Sequence, residues 1–186
     1  MTRHDATWPE LRTERLLLRV PRMEDFERYA EVIGNPDAAR YIGGHQPRAA
    51  AWRRFLQMPG AWMVQGFGMF SVIEAASGRW LGQAGPWQPD GWPGAEVGYT
   101  FHPDAWGQGY ASEAATAAID WAFDHLGWDE VIHCIDPDNA ASQALAHRLG
   151  SRRLRRARLP APFEDDEVEV WGQTRAQWRA RDATDA

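Results

Sequence analysis

Residues 95–114 read AEVGYTFHPDAWGQGYASEA, and the fold turns on them. Ala95 to Phe101 forms a strand rich in aromatic and β-branched residues, and the H102-P-D-A105 stretch leads out of it. Gly107 and Gly109 then let the chain turn tightly and bare its N–H groups, just before a helix start that adds partial positive charge. Such a turn suits a phosphate, although a plain strand-to-helix connection would use the same glycines for geometry alone. From about Tyr110 to Leu126, residues Ala111, Ala114, Ala115, Ala118, Ile119, Ala122 and Phe123 fall on one helical stripe, and Gly127 is a suitable stop. The first half of that stripe is all alanine, so the helix start can approach a sheet closely.

Reading outward, E130-V-I-H-C-I135 is the next strand, so strand, helix and strand make one crossover and one parallel pair. Upstream, L11-R-T-E-R-L-L-L-R-V20 reads as one strand bounded by Pro21. A helix follows over about 23–33, ended by G34-N-P36, and another over about 48–58, stopped by Pro59-Gly60. Strands at 67–74 and 80–85 are joined by the turn A76-S-G-R79. Downstream come a short helix from Asn139 to Leu149, ended by Gly150, and strands at about 152–159 and 167–171. Runs of neighbouring strands imply antiparallel pairing. The expectation is an α+β fold, a twisted and mostly antiparallel sheet of six to seven strands, splayed at one parallel pair, with helices on both faces.

Over 186 residues with 44% hydrophobic content, and no linker or repeat, one domain spanning 1–186 is expected. No apolar run is long enough to cross a bilayer, and the first residues lack a signal-peptide pattern, so a cytoplasmic location is the default. A net charge of −6 argues against nucleic acid as the main partner and is compatible with a cationic one. All 20 basic residues are arginine, five of them in R152-R-L-R-R-A-R158, shortly before the acidic E164-D-D-E167. These segments read first as solvated strands around a turn. The single cysteine, Cys134, excludes an intrachain disulfide or a cysteine-based metal cage, and its apolar setting predicts a buried, inert thiol. Trp87 and Trp92 lie in the loop P86-W-Q-P-D-G-W-P-G94, as core anchors or as walls of a site.

The sequence resembles the GNAT acyltransferases, and among them the ribosomal-protein N-acetyltransferases of the RimJ/RimL type. The likeness runs through L11-R-T-E-R-L-L-L-R19, D37-A-A-R-Y-I-G-G44, A95-E-V-G-Y99, W106-G-Q-G-Y-A-S-E-A114, N139-A-A-S142, R148-L-G150 and T174-R-A-Q-W178. The resemblance implies a GNAT-type fold that binds acetyl-CoA along the splayed strand edge. W106-G-Q-G-Y-A111 stands at the family's acyl-CoA loop, usually R/Q-x-x-G-x-G/A: Gly109 and Ala111 fit, and Trp106 replaces the common Arg or Gln. Backbone N–H groups of Gln108, Gly109, Tyr110, Ala111 and Ser112 then hold the pyrophosphate, and Tyr99 and Phe101 pair with the pantetheine arm. Arg148 either reaches the 3′-phosphate or is an ordinary exposed helix arginine. A structural role is preferred for His102.

Acetyl transfer to an amine needs a neutral amine, a polarised carbonyl and a stabilised thiolate. Glu96, on the strand near the reacting centre, is the candidate base; the alternative is a carboxylate that only binds an ammonium group or an arginine. Asn139 reads as the cap of its helix, and Ser142 lies on the cap's face. Many family members carry a tyrosine acid at the position of Ala146, so Ser142 either supplies the missing hydroxyl or merely supports the cap. Ser151 replaces a usual aromatic, which predicts a weaker core contact. The acidic loop and the Trp87/Trp92 loop flank the acceptor side, favouring a primary amine that is cationic, on a peptide N-terminus or a small molecule. No metal is implied, and the chain is expected as a monomer or a homodimer. The rival functions are an acyl-CoA sensor of the same fold without catalysis, and a dinucleotide enzyme. The second fails because G107-Q-G-Y-A-S112 begins too late for a doubly wound sheet.

Overall fold

Leu16, Leu17 and Leu18 alternate between the two faces of a strand, and both faces are covered. Leu16 and Leu18 are buried with Phe70, Val72 and Leu81, while Leu17 lies against Phe26, Ile73 and Trp80 on the other side. The computed structural model describes residues 8–165 and 167–182. Its sheet has eight strands: β1 (Glu10–Arg12), β2 (Leu16–Arg19), β3 (Phe70–Glu74), β4 (Trp80–Trp87), β5 (Glu96–Phe101), β6 (Glu130–Ile135), β7 (Arg152–Arg158) and β8 (Glu167–Thr174). Their order is β1-β2-β3-β4-β5-β6-β8-β7, and β5–β6 is the one parallel pair. This is the mixed, mostly antiparallel sheet expected, with one strand more. The extra strand arises because the stretch from Leu11 folds back on itself: Thr13 N–H donates to the Leu16 carbonyl and Leu16 N–H to Thr13 Oγ1, both at 3.0 Å.

The helices are α1 (Phe26–Gly34), α2 (Pro36–Ala39), α3 (Arg48–Gln65), α4 (Tyr110–Trp121), α5 (Ala140–Arg148) and α6 (Arg175–Asp182). Asn35 caps α2, its side chain accepting from Asp37 and Ala38 N–H. Pro59 does not stop α3, contrary to expectation. The helix carries it inside and runs on for another turn and a half, because Trp62 beyond it is buried against Phe70 and Trp121 and donates its indole N–H to the Met69 carbonyl. That packing outweighs a proline cost of about 3 kcal/mol. α4 keeps the predicted stripe, with Ala114, Ala115, Ala118, Ile119, Ala122 and Phe123 buried, but its last turn, Ala122–Leu126, widens to a π-type turn before Gly127. α6 was not foreseen. Its segment RAQWRARD has a single large apolar side chain, the buried Trp178, whose indole N–H donates to Asp120 at 2.7 Å, and Arg175 Nε donates to the Trp128 carbonyl at 2.9 Å.

A buried polar knot joins the first strands to α1. Arg19 donates to both oxygens of Asp25 at 2.8 Å, Ser71 Oγ donates to the same carboxylate at 2.7 Å, and Trp80 Nε1 donates to Ser71 Oγ at 3.1 Å. Every member is satisfied, which is what permits such a pair to stay buried. In the middle of the sheet, β4 and β5 pair at six positions whereas β5 and β6 share one, Glu96 with Ile132. Beyond that point the parallel strands part.

Candidate active site at the parting strands

Side chains alternate along β5. Val97 packs with Ala115 and Ala118 of α4, and Tyr99 lies on the same side. Glu96, Gly98 and Thr100 therefore face away from α4. Along the other axis, the odd-numbered residues turn their peptide groups toward β6: the Ala95 carbonyl accepts from Ile132 N–H at 2.9 Å, and the Val97 carbonyl accepts from His133 Nδ1 at 2.7 Å.

Two side chains wedge the strands apart and satisfy what the lost pairing exposes. The Glu96 carboxylate accepts Cys134 N–H at 3.1 Å. His133 donates from Nδ1 to a carbonyl, so its Nε2 accepts from Ser151 Oγ at 3.1 Å, and Gln173 Nε2 donates to Ser151 Oγ at 3.0 Å. Burial holds His133 neutral, its pKa lowered to about 4. Ser151 thus does not loosen the core as expected; it links a buried hydrogen-bonded chain. Past Val97, alternation leaves the Tyr99 peptide on the open edge, while the Phe101 carbonyl is taken by Trp106 Nε1 at 2.9 Å. Tyr99 is the better placed of the two residues read as an edge for an extended ligand.

Glu96 itself is buried. Burial raises its pKa to about 7, against hydrogen bonds from the Trp92 indole and from Cys134 that favour the charged form. Trp87, in register with Glu96, shares its face. The Trp92 loop is tied down by Arg155 Nη2, which donates to the Pro93 carbonyl at 2.8 Å. Two more loops meet near this face: Tyr41 OH donates to the Asp138 carbonyl at 3.1 Å, and the ring of Phe163, from the acidic loop, lies 2.7 Å from where a Cβ on Gly43 would stand. Glu164 and Asp165 are exposed, and Asp166 lies outside the described residues. Cys134 is half-buried rather than buried, and burial together with the neighbouring Glu96 pushes its thiol well up, which keeps it unreactive.

On the α4 side, Gly109 caps the helix at φ +81°, and the first main-chain bond of α4 runs from Glu113 N–H to the Gly109 carbonyl at 3.1 Å. Among the described residues the N–H groups of residues 108–112 have no main-chain acceptor. That geometry fits a diphosphate. The turn is braced from outside: Gln108 Nε2 donates to the Asp104 carbonyl at 2.7 Å, Arg28 holds Asp104 at 2.8 Å, and Tyr110 OH donates to Glu74 at 2.6 Å. His102 bridges Glu31 and Asp104, a structural role. Asn139 Oδ1 accepts Ser142 N–H at 3.1 Å, and Tyr99 OH donates to the Ser142 carbonyl at 3.2 Å. Among the described residues no hydrogen bond occupies the Ser142 hydroxyl. Ala146 is fully buried. Arg148 is exposed on the last turn of α5, roughly 13 Å along the axis from Asn139. Sequence reasoning passed over Thr13, Arg15, Glu113 and His133, whose roles depend on partners distant in the chain.

A model of the acetyltransferase (GNAT) domain matches residues 15–152, most of the chain. The chain belongs to the GNAT acetyltransferase family. Among its GNAT-fold neighbours, an acetyltransferase from Agrobacterium tumefaciens is 30% identical and superposes with a TM-score of 0.78 over 90% of this chain and 95% of that one. The uncharacterised protein YkkB of Bacillus subtilis is 31% identical over 81% of this chain and 91% of its own length. A ribosomal-protein-S5-alanine acetyltransferase from Vibrio fischeri shares the fold alone, at 16% identity and a TM-score of 0.67, over 91% of this chain and 98% of its own. GNAT acetyltransferases bind acetyl-CoA and an acceptor, and the open N–H groups of residues 108–112 are a cradle of the kind a diphosphate requires. Among the described residues no group of three or more His, Cys, Asp or Glu is placed to hold a metal, and no helix is long and apolar enough to cross a membrane.

Proposed function

We propose that this GNAT protein moves an acetyl group from acetyl-CoA to a primary amine by direct transfer in a ternary complex, in the manner of the RimJ/RimL branch. The observation that carries the reading is Glu96: a buried carboxylate at the one crossing point of β5 and β6, with a pKa near neutrality and an indole and a peptide N–H as its partners. Such a group is poised to take a proton from an amine at physiological pH.

Acetyl-CoA supplies the acetyl group and the leaving thiolate. The peptide N–H groups of Gln108 to Ser112 hold the diphosphate, and the Tyr99 peptide orients the pantetheine arm. Glu96 accepts the amine proton, directly or through one water, as nitrogen bonds to the carbonyl carbon and the carbon–sulfur bond breaks. The free hydroxyl of Ser142, on the first turn of α5, is assigned to hydrogen-bond the departing sulfur. Arg148 is assigned no more than a long-range attraction for the 3′-phosphate. The exposed acidic residues on the loops around Glu96 favour a cationic acceptor.

The relatives with a named activity are transferases, which speaks for catalysis over a binding-only role. The test is incubation with acetyl-CoA and a panel of amines and N-terminal peptides while free thiol is followed. Thiol release with acetylated amine supports the reading. Stabilisation by CoA without turnover on any acceptor would leave a sensor, and no stabilisation by CoA would remove the cofactor assignment altogether.

A further inference from the structure

Arg15 stands in the turn between β1 and β2, nearly a hundred residues before the cradle it touches. Its main-chain N–H donates to Glu113 Oε1 at 2.9 Å, and its Nε and Nη2 reach Glu113 Oε2 at 2.7 Å. Thr13 Oγ1 donates to the same carboxylate at 2.5 Å. The guanidinium lies 4.6 Å from the Tyr110 ring centroid, and its remaining arm, Nη1, donates to the Gln108 carbonyl at 3.0 Å.

That last bond fixes the direction of a peptide plane. In a trans peptide the carbonyl of one residue and the N–H of the next point opposite ways. Holding the Gln108 carbonyl toward Arg15 therefore turns the Gly109 N–H the other way. The glycine after it leaves the alternative orientation open, because Gly109, at φ +81°, tolerates either sign of φ. In the flipped state a carbonyl dipole, not an N–H, would face a phosphate.

We propose that Arg15 is a positioning residue for the nucleotide half of the cosubstrate, selecting the Gln108–Gly109 peptide orientation that presents an N–H to the diphosphate. The inference rests on the acetyl-CoA reading above. Glu113 already neutralises the Arg15 charge, so the residue acts as a brace and not as a phosphate ligand. Its fork has to reach a carboxylate and a carbonyl in two directions at once, which lysine does not do.

The test compares wild type, Arg15→Met and Arg15→Lys by calorimetric titration with CoA, and by kinetics with acetyl-CoA and with S-acetyl-pantetheine, which lacks the diphosphate and nucleotide. Expected for both variants is a loss of CoA affinity of about tenfold to a hundredfold, a matching rise in KM for acetyl-CoA, and unchanged kcat and unchanged kcat/KM with acetyl-pantetheine. Arg15→Lys, which keeps the charge and the main-chain bond to Glu113, serves should Arg15→Met not fold. Unchanged CoA affinity would overturn the proposal, as would equal losses with acetyl-pantetheine, which mark general damage, or full rescue by lysine, which marks a simple charge contact. Wild type that binds no CoA would instead overturn the cofactor reading beneath it.

Discussion

The Glu96 carboxylate accepts the main-chain N–H of Cys134 at 3.1 Å, in place of the carbonyl that a continuing parallel ladder would have offered. One side chain thus ends the pairing of β5 with β6 and lies buried beside the gap it opens. Its cost is a desolvated charge, and that cost depends on pH.

A carboxylate whose folded pKa is raised binds its proton more tightly folded than unfolded, so its contribution to stability is present at low pH and lost as pH rises. For Glu96 the loss runs between about pH 4.5 and pH 7 and amounts to roughly 3 kcal/mol. Urea unfolding of wild type and Glu96→Gln at pH 5 and pH 8 checks this: the variant should gain on wild type as pH rises. A constant difference across that range would contradict the raised value.

The Arg19–Asp25 pair predicts a different kind of loss. Asp25→Ala leaves a buried guanidinium, the Ser71 hydroxyl and the Arg22 N–H without their acceptor, and should cost about 3–5 kcal/mol by chemical denaturation. Exposed pairs such as Arg48 with Glu27 should cost little when broken.

Gly109→Glu should abolish thermal stabilisation by CoA, because it places a carboxylate at the cradle and forces a side chain onto φ +81°. Retained stabilisation would move the diphosphate elsewhere.

Ser142→Ala should leave CoA binding and melting temperature unchanged, since Ser142 bonds Asn139 and Tyr99 through its main-chain N–H and carbonyl, which alanine keeps. Turnover should fall about tenfold for loss of one hydrogen bond to sulfur. Unchanged turnover would remove Ser142 from the reaction.

Much of this was legible in the sequence because it is local. The alanine stripe of α4, the glycines before it and the Asn139 cap follow from spacing within a few residues, and they place the parallel pair and the cradle. What was not legible depends on contacts across the chain. Pro59 fails to end α3 because of a tryptophan core assembled from three elements. The first strand becomes two because Thr13 and Arg15 turn to meet Glu113. Ser151, unpromising as a replacement for an aromatic, makes sense beside His133 and Gln173. Glu96 stands out in the sequence by its strand position alone; its burial and its bond to Cys134 depend on β6 and on the Trp92 loop.

The reading of Glu96 as the base is tested most directly by the pH dependence of kcat in wild type and Glu96→Gln with a reactive amine at saturation. The account predicts a wild-type rate that falls about tenfold per pH unit below an inflection near pH 7, and a variant that is slower by about a hundredfold or more and lacks that inflection. A Glu96→Gln protein with wild-type kcat and the same inflection would contradict it.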